Sequence, residues 1–201
     1  MIEKKQRIVS SDTLRQQRVP PGQVLTEKFP VLGITEPPDV DLARWRLQIK
    51  GLVSNPLALT WEEFLALPTV ELLADFHCVT GWSRLGNLWE GVPSRIVTER
   101  AGLKPEAAAV MVRCADGYTT NMTLDVFLGE DVILAYRLDG QPLPADHGGP
   151  MRLIVPQRYG WKSAKFASGL DFLPRDEPGF WERRGYHLDG DQWREQRYWG
   201  D

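Results

Sequence analysis

Apolar and polar positions alternate along Trp45-Arg46-Leu47-Gln48-Ile49, which predicts a strand ended by Gly51. Val70 to Cys78 and Ala109 to Cys114 are almost continuously apolar, the pattern of strands buried on both faces. Asp131 to Leu138 and Leu153-Ile154-Val155 predict two further strands, the second stopped by Pro156, and the short Lys165–Leu173 segment reads as strand rather than helix. Helical periodicity is confined to short stretches. Thr60-Trp61-Glu62-Glu63 is a capping box, in which Thr60 accepts from the amide of Glu63 and the Glu63 carboxylate reaches back, so a helix opens there and ends before Pro68. Val92 to Gly102 predicts a second helix, with Pro93 in its first turn and Gly102 at its end.

Many short strands with a few short helices predict a mixed α/β, β-rich fold. Residues 1–40 carry Pro20-Pro21-Gly22, Pro30 and Pro37-Pro38 with little periodicity, and read as an extended arm across a body formed by residues 41–201. From Phe180 to Trp199 the chain is charged and aromatic together, too apolar to stay in solvent, so it is expected to wrap the body or a neighbouring subunit.

Composition narrows the function. An apolar fraction of 42% is that of a globular protein, and a net charge of −3 is the wrong sign for a general nucleic-acid binder. Eight tryptophans point to aromatic-lined pockets or contacts. The chain has no run of about 18 apolar residues that would span a membrane, no apolar export segment and no paired-arginine signal. A cytoplasmic location with two reduced thiols, Cys78 and Cys114, is the expectation.

Phosphate-loop, dinucleotide-loop, serine-elbow and C-x-x-C signatures are all missing. A zinc site would need His77, Cys78, Cys114 and His147, at a spacing no usual zinc motif has. Three segments carry chemistry that packing does not require. In Phe76-His77-Cys78-Val79-Thr80-Gly81-Trp82 a thiol ends a buried strand just before a glycine loop, whereas Cys114 sits inside its strand and reads as structural. In His147-Gly148-Gly149-Pro150-Met151-Arg152 paired glycines admit a close backbone approach, and the arginine can hold an anion. In Tyr159-Gly160-Trp161-Lys162-Ser163-Ala164-Lys165 two lysines bracket a serine, a pattern that can cradle a phosphate. Each segment also has a plain reading: a small buried hydrophobe, a tight turn and a solvated basic turn. Together they describe a soft thiolate and a separate anion clamp.

These three segments, in this order, resemble the molybdopterin-binding domain of the sulfite oxidase family. The resemblance is to its small bacterial and archaeal members, related to the periplasmic methionine-sulfoxide reductase catalytic subunit, and the ending Gly179-Phe180-Trp181-Glu182-Arg183-Arg184-Gly185-Tyr186-His187 shares it. The resemblance implies a sulfite-oxidase-type fold and one pyranopterin whose dithiolene binds molybdenum, with Cys78 as the protein's sulfur ligand. It implies cofactor contacts at Phe29, Val31, Ala115, His147, Arg152, Ser163, Ala164 and Lys165. Arg84 and Arg158 are candidates to attract an anionic substrate. Heme and dimerisation domains of true sulfite oxidases are not matched, so the expected activity is two-electron oxygen-atom transfer on a small-molecule substrate, with an external electron carrier. A non-catalytic molybdopterin-binding protein and a thiol enzyme using Cys78 as nucleophile are the alternatives.

Overall fold

The computed structural model describes residues 5–201. Two strands, β1 (Gln6–Val9) and β2 (Val24–Leu25), lie within the first forty residues. β3 (Arg46–Gly51) and β4 (Leu57–Thr60) pair antiparallel and lead into α1 (Trp61–Leu65), capped by both bonds of the Thr60–Glu63 box. β5 (Val70–Cys78) turns into the long β6 (Trp82–Pro93), followed by α2 (Ser94–Ala101). β7 (Ala109–Cys114) and β8 (Thr119–Thr123) form a second hairpin before α3 (Leu124–Phe127). β9 (Ile133–Leu138), β10 (Gln141–Pro142), β11 (Arg152–Ile154) and β12 (Ala167–Leu173) complete the strands among the described residues.

One sheet has seven strands. It runs β1-β5-β6-β9-β10, with β11 also on β9 and β2 on β6; the other has five, ordered β4-β3-β12-β7-β8. The pairs β1–β5, β2–β6 and β12–β3 are parallel. The main core lies between the sheets: Leu47, Ile49, Val112 and Phe172 of one meet Val92, Leu134 and Leu153 of the other, with Phe64 and Val97 from the helices. A smaller core of Leu72, Trp89, Ile133 and Ile154 covers the opposite face of the larger sheet, where Ile8, Phe29 and Trp82 pack on it. That sheet is therefore covered on both faces, which is why β5 is mostly apolar, broken only by Glu71, Asp75 and His77.

The predicted β5 and β7 match the observed bounds, and the 165–173 strand begins two residues late. The helix expected over 92–102 starts at Ser94, because Val92 and Pro93 still pair with Leu134 and Ile133 of β9. Its Gly102 cap is left-handed, at φ +68°. β6 itself is not apparent in the sequence. It is interrupted by Gly86, Asn87 and Gly91, and the register slips between Glu90 and Gly91. At Gly91 a Cβ would lie 2.3 Å from the Leu134 carbonyl oxygen, so glycine is required where the two strands close up. No helix among the described residues is long and apolar enough to cross a membrane.

Candidate functional site

The hairpin from β5 to β6 delivers Cys78. Cys78 pairs with Trp82 across the turn, Gly81 bends it at φ +96°, and the Gly81 amide donates to the Cys78 carbonyl at 3.0 Å. The Cys78 side chain, 8% exposed, faces a cavity of about 320 Å³, and its Sγ lies 3.2 Å from Thr80 Oγ1. Cys114 is held in the main core, where burial pushes its thiol well above the ordinary range, and it does not line the cavity. Both cysteines are free thiols.

Positive charge gathers elsewhere on the cavity wall. Arg152, at the start of β11, is 2% exposed and donates to the carbonyls of His147 at 2.9 Å and Ser163 at 2.6 Å. Its Nε has no partner, and no carboxylate among the described residues forms an ion pair with it. The guanidinium rests on Phe76 and Trp89, 5.3 and 5.6 Å from the ring centroids. Burial lowers its pKa to about 9, which still leaves a cation at neutral pH. Lys165 donates to the Asp146 carbonyl, and burial together with Arg152 lowers its pKa to about 8. His147 stacks on Phe29 at 4.6 Å, its buried Nδ1 has no partner, and burial with the nearby cations lowers its pKa. The paired glycines serve this corner. A Cβ on Gly149 would meet the Leu143 carbonyl at 2.2 Å, and one on Gly148 would meet the Lys165 side chain at 2.8 Å.

The cavity thus gathers Phe29, Cys78, His147, Arg152, Ser163, Ala164 and Lys165. Other expectations are placed differently. Val31 is 53% exposed and does not line it, although Pro30 and Leu32 do. Ala115 spends its amide on Phe166, and Asp116 lines the wall in its place. Ser163 turns its hydroxyl to the Val155 amide at 2.9 Å. Lys162, expected to share a phosphate cradle with Lys165, points the other way. It is fully buried and paired with Glu182 at 2.7 Å. Nor does the structure bring Arg84 or Arg158 to the cavity: Arg84 pairs with Asp139 at 2.8 Å and Arg158 with Asp189 at 2.7 Å.

The tryptophan count points to an aromatic-lined pocket, but which residues form its wall is not legible in the sequence. Tyr118, Trp161, Trp181 and Tyr186 line the cavity from three separate segments. Trp181 stacks on Tyr186 at 5.0 Å, and Tyr118 donates to the Trp161 carbonyl at 2.7 Å. The dense aromatics of the tail signal Trp181 and Tyr186, while nothing local singles out Tyr118.

No cluster of three or more His, Cys, Asp or Glu side chains among the described residues could hold a metal. The four-residue zinc site is therefore not assembled, and a metal at Cys78 must arrive with most of its ligands. An anionic, aromatic, sulfur-bearing cofactor fits this donor set. Arg152 supplies an unpaired buried cation with a free N–H, His147 a free ring nitrogen, and Phe29, Trp161 and Tyr186 flat apolar surface.

A family profile described as "oxidoreductase molybdopterin binding domain" matches residues 34–181. The Bacillus subtilis oxidoreductase YuiH is 48% identical over 92% of this chain and 93% of its own. A catalytic subunit of protein-methionine-sulfoxide reductase from Gluconobacter oxydans is 31% identical over 69% of the chain. The chain spans about half of that relative's length, the matched share being 50%. Among solved structures, the sulfane dehydrogenase SoxCD of Paracoccus pantotrophus superposes with a TM-score of 0.64 at 24% identity, over 70% of this chain and 41% of its own.

Proposed function

The chain belongs to the oxidoreductase molybdopterin-binding domain family, an enzyme family with a sulfite-oxidase-type fold and a molybdenum cofactor, and from that premise we propose that Cys78 ligates the metal in a two-electron oxygen-atom transfer. One observation carries this reading: a single cavity joins a buried thiol to an unpaired buried arginine. When bound, the cofactor supplies a two-electron centre that exchanges an oxygen atom between water and a small substrate.

The protein's own residues bind, orient and exclude water. Cys78 donates charge through a soft sulfur and sets the potential rather than attacking substrate. Arg152 and Lys165 hold the anionic end of the cofactor, with Arg152 locked by its two carbonyl partners. His147, kept neutral by its surroundings, offers a ring nitrogen to the pterin. Val31 and Ala115 fall beside the cavity, so their expected contacts reduce to those of their neighbours Leu32 and Asp116. Electrons leave or arrive through an external carrier. The methionine-sulfoxide reductase relatives motivate a sulfoxide as first substrate to test.

Cys78→Ser replaces a soft ligand by a hard one at constant size. The folded protein should lose one sulfur from the molybdenum coordination shell by X-ray absorption, and turnover with a reduced dye and a panel of sulfoxides should vanish. An unchanged sulfur count would remove Cys78 from the metal. Dye-linked turnover that survives removal of molybdenum would instead make Cys78 a nucleophile.

A further inference from the structure

The carbonyls around the Cys78 turn are held by donors from distant stretches of chain. His77 O accepts from the Gly160 amide at 2.7 Å, and Gly81 O from the Val24 amide at 2.9 Å. Cys78 O accepts from Gln23 Nε2 at 3.2 Å, in addition to Gly81. Val79 O accepts from Arg197 Nη1 at 2.6 Å. Arg197 is the one charged donor in this set. Its side chain is 18% exposed, its second amino group lies 3.5 Å from the Pro21 carbonyl, and the guanidinium sits 5.0 Å from the Tyr159 ring centroid.

Among the described residues the ion-pair partner of that charge is Glu195, at 3.9 Å. The arm runs close beside it: Gly22, at φ +67°, lies where a Cβ would come within 2.9 Å of Arg197 Nη2. Arg197 does not line the cavity and so does not touch the cofactor itself.

We infer that Arg197 is a positioning residue for the metal end of the site. It clamps the residue after the ligand and sets a positive charge behind the turn. With the Cys78 and Val79 carbonyls both engaged, the two successive peptide planes that follow the ligand are held, and with them the backbone from which Sγ reaches the cavity. A nearby cation also stabilises the more electron-rich state of a thiolate-bound centre, so its removal makes reduction harder. The inference rests on the reading of Cys78 as the ligand.

The test uses the loaded enzyme. Arg197→Ala is expected to keep molybdenum and pterin content near the parent value. Its paramagnetic molybdenum signal should change in shape, and its midpoint potential should move to more negative values. Arg197→Lys keeps the charge with fewer donors, and should restore the potential more fully than the line shape. Arg184→Ala removes another tail arginine, one that donates to the Phe180 carbonyl, and should change neither. An Arg197→Ala enzyme with the parent signal and potential overturns the assignment. So does one that merely melts earlier and loses cofactor while its loaded fraction keeps the parent signature. If Arg197→Ala does not accumulate folded, Arg197→Gln against Arg197→Lys decides, since only the former should lower the potential. Cys78→Ser separates the two claims: a falling sulfur count with inert Arg197 variants rejects the clamp alone, and an unchanged count rejects the ligand reading beneath it.

Discussion

Lys162 and Arg152 are both cations removed from water, and they meet opposite surroundings. Lys162 is fully enclosed with Glu182, whose Oε1 also accepts from Thr120 and from the Trp161 indole. It further donates to the Asn121 carbonyl at 2.9 Å. Arg152 has only backbone carbonyls, two aromatic faces and an idle Nε. A buried charge that the fold has already neutralised belongs to the architecture, whereas one left without a counter-ion marks where a ligand brings its own. The two neighbours of Lys162, Trp161 and Ser163, both line the cavity, so one loop presents its walls inward and its charge outward.

Breaking the charge-neutralised pair should have the largest effect. Glu182→Gln leaves Lys162 enclosed without a counter-charge, which typically costs about 3–5 kcal/mol. Denaturant unfolding of the cofactor-free protein should show that loss, and replacing both partners by Met and Leu should recover only part of it, because the Thr120 hydroxyl and the Trp161 indole lose their acceptor. Should Glu182→Gln leave the unfolding midpoint unchanged, the distinction between the two cations collapses.

Arg152→Ala and Lys165→Ala should spare the fold more than Glu182→Gln does and act on retention instead. A charge-assisted contact of this kind is worth roughly 1.5–3 kcal/mol, or about 10- to 150-fold in affinity. Purified variants should be poor in pterin and molybdenum, with near-normal turnover per metal in the loaded fraction. Full loading with a lost rate per metal would move these residues to the substrate end.

The smallest effect is in pH. Lys165 titrates at about 8 in the folded, cofactor-free protein, against about 10.4 for an unfolded chain. Between those values the unfolded state binds more protons, so the cofactor-free fold gains stability as pH rises through that window. Lys165 is only partly buried, so the gain is shallow. The loaded protein should go the other way, releasing cofactor faster once Lys165 loses its proton. Release rates at about pH 7 and about pH 9.5, compared with Lys165→Arg, check this: the arginine variant should flatten the difference.

What could be read beforehand follows from how local its cause is. The Thr60 cap is decided within four residues; β5 announces itself because its sheet is covered on both faces, and β7 because Val110, Val112 and Cys114 of its core-facing side are all apolar. β6 could not be read, since Gly91 makes sense only against Leu134 on the neighbouring strand and Gly86 interrupts it with a left-handed turn at φ +69°. The site divides in the same way. The segments holding Cys78, His147, Arg152 and Lys165 are legible as short motifs that combine glycine with a reactive or charged side chain. Which way Lys162 points depends on Glu182, and the fates of Arg84 and Arg158 depend on Asp139 and Asp189, all distant in sequence. The aromatic wall likewise exists only after the tail has packed.

The grip of Arg197 on Val79 spans 118 residues of chain. During synthesis, at about 5–20 residues per second, the cysteine hairpin is out of the ribosome several seconds before its clamp is made. Until then the turn lacks one of its fixed carbonyls, and the part of the cavity wall contributed by Trp181 and Tyr186 is missing as well. The last parts of the cavity wall and the fixed turn therefore come together only when residues from about 180 onward have packed against a hairpin made more than a hundred residues earlier.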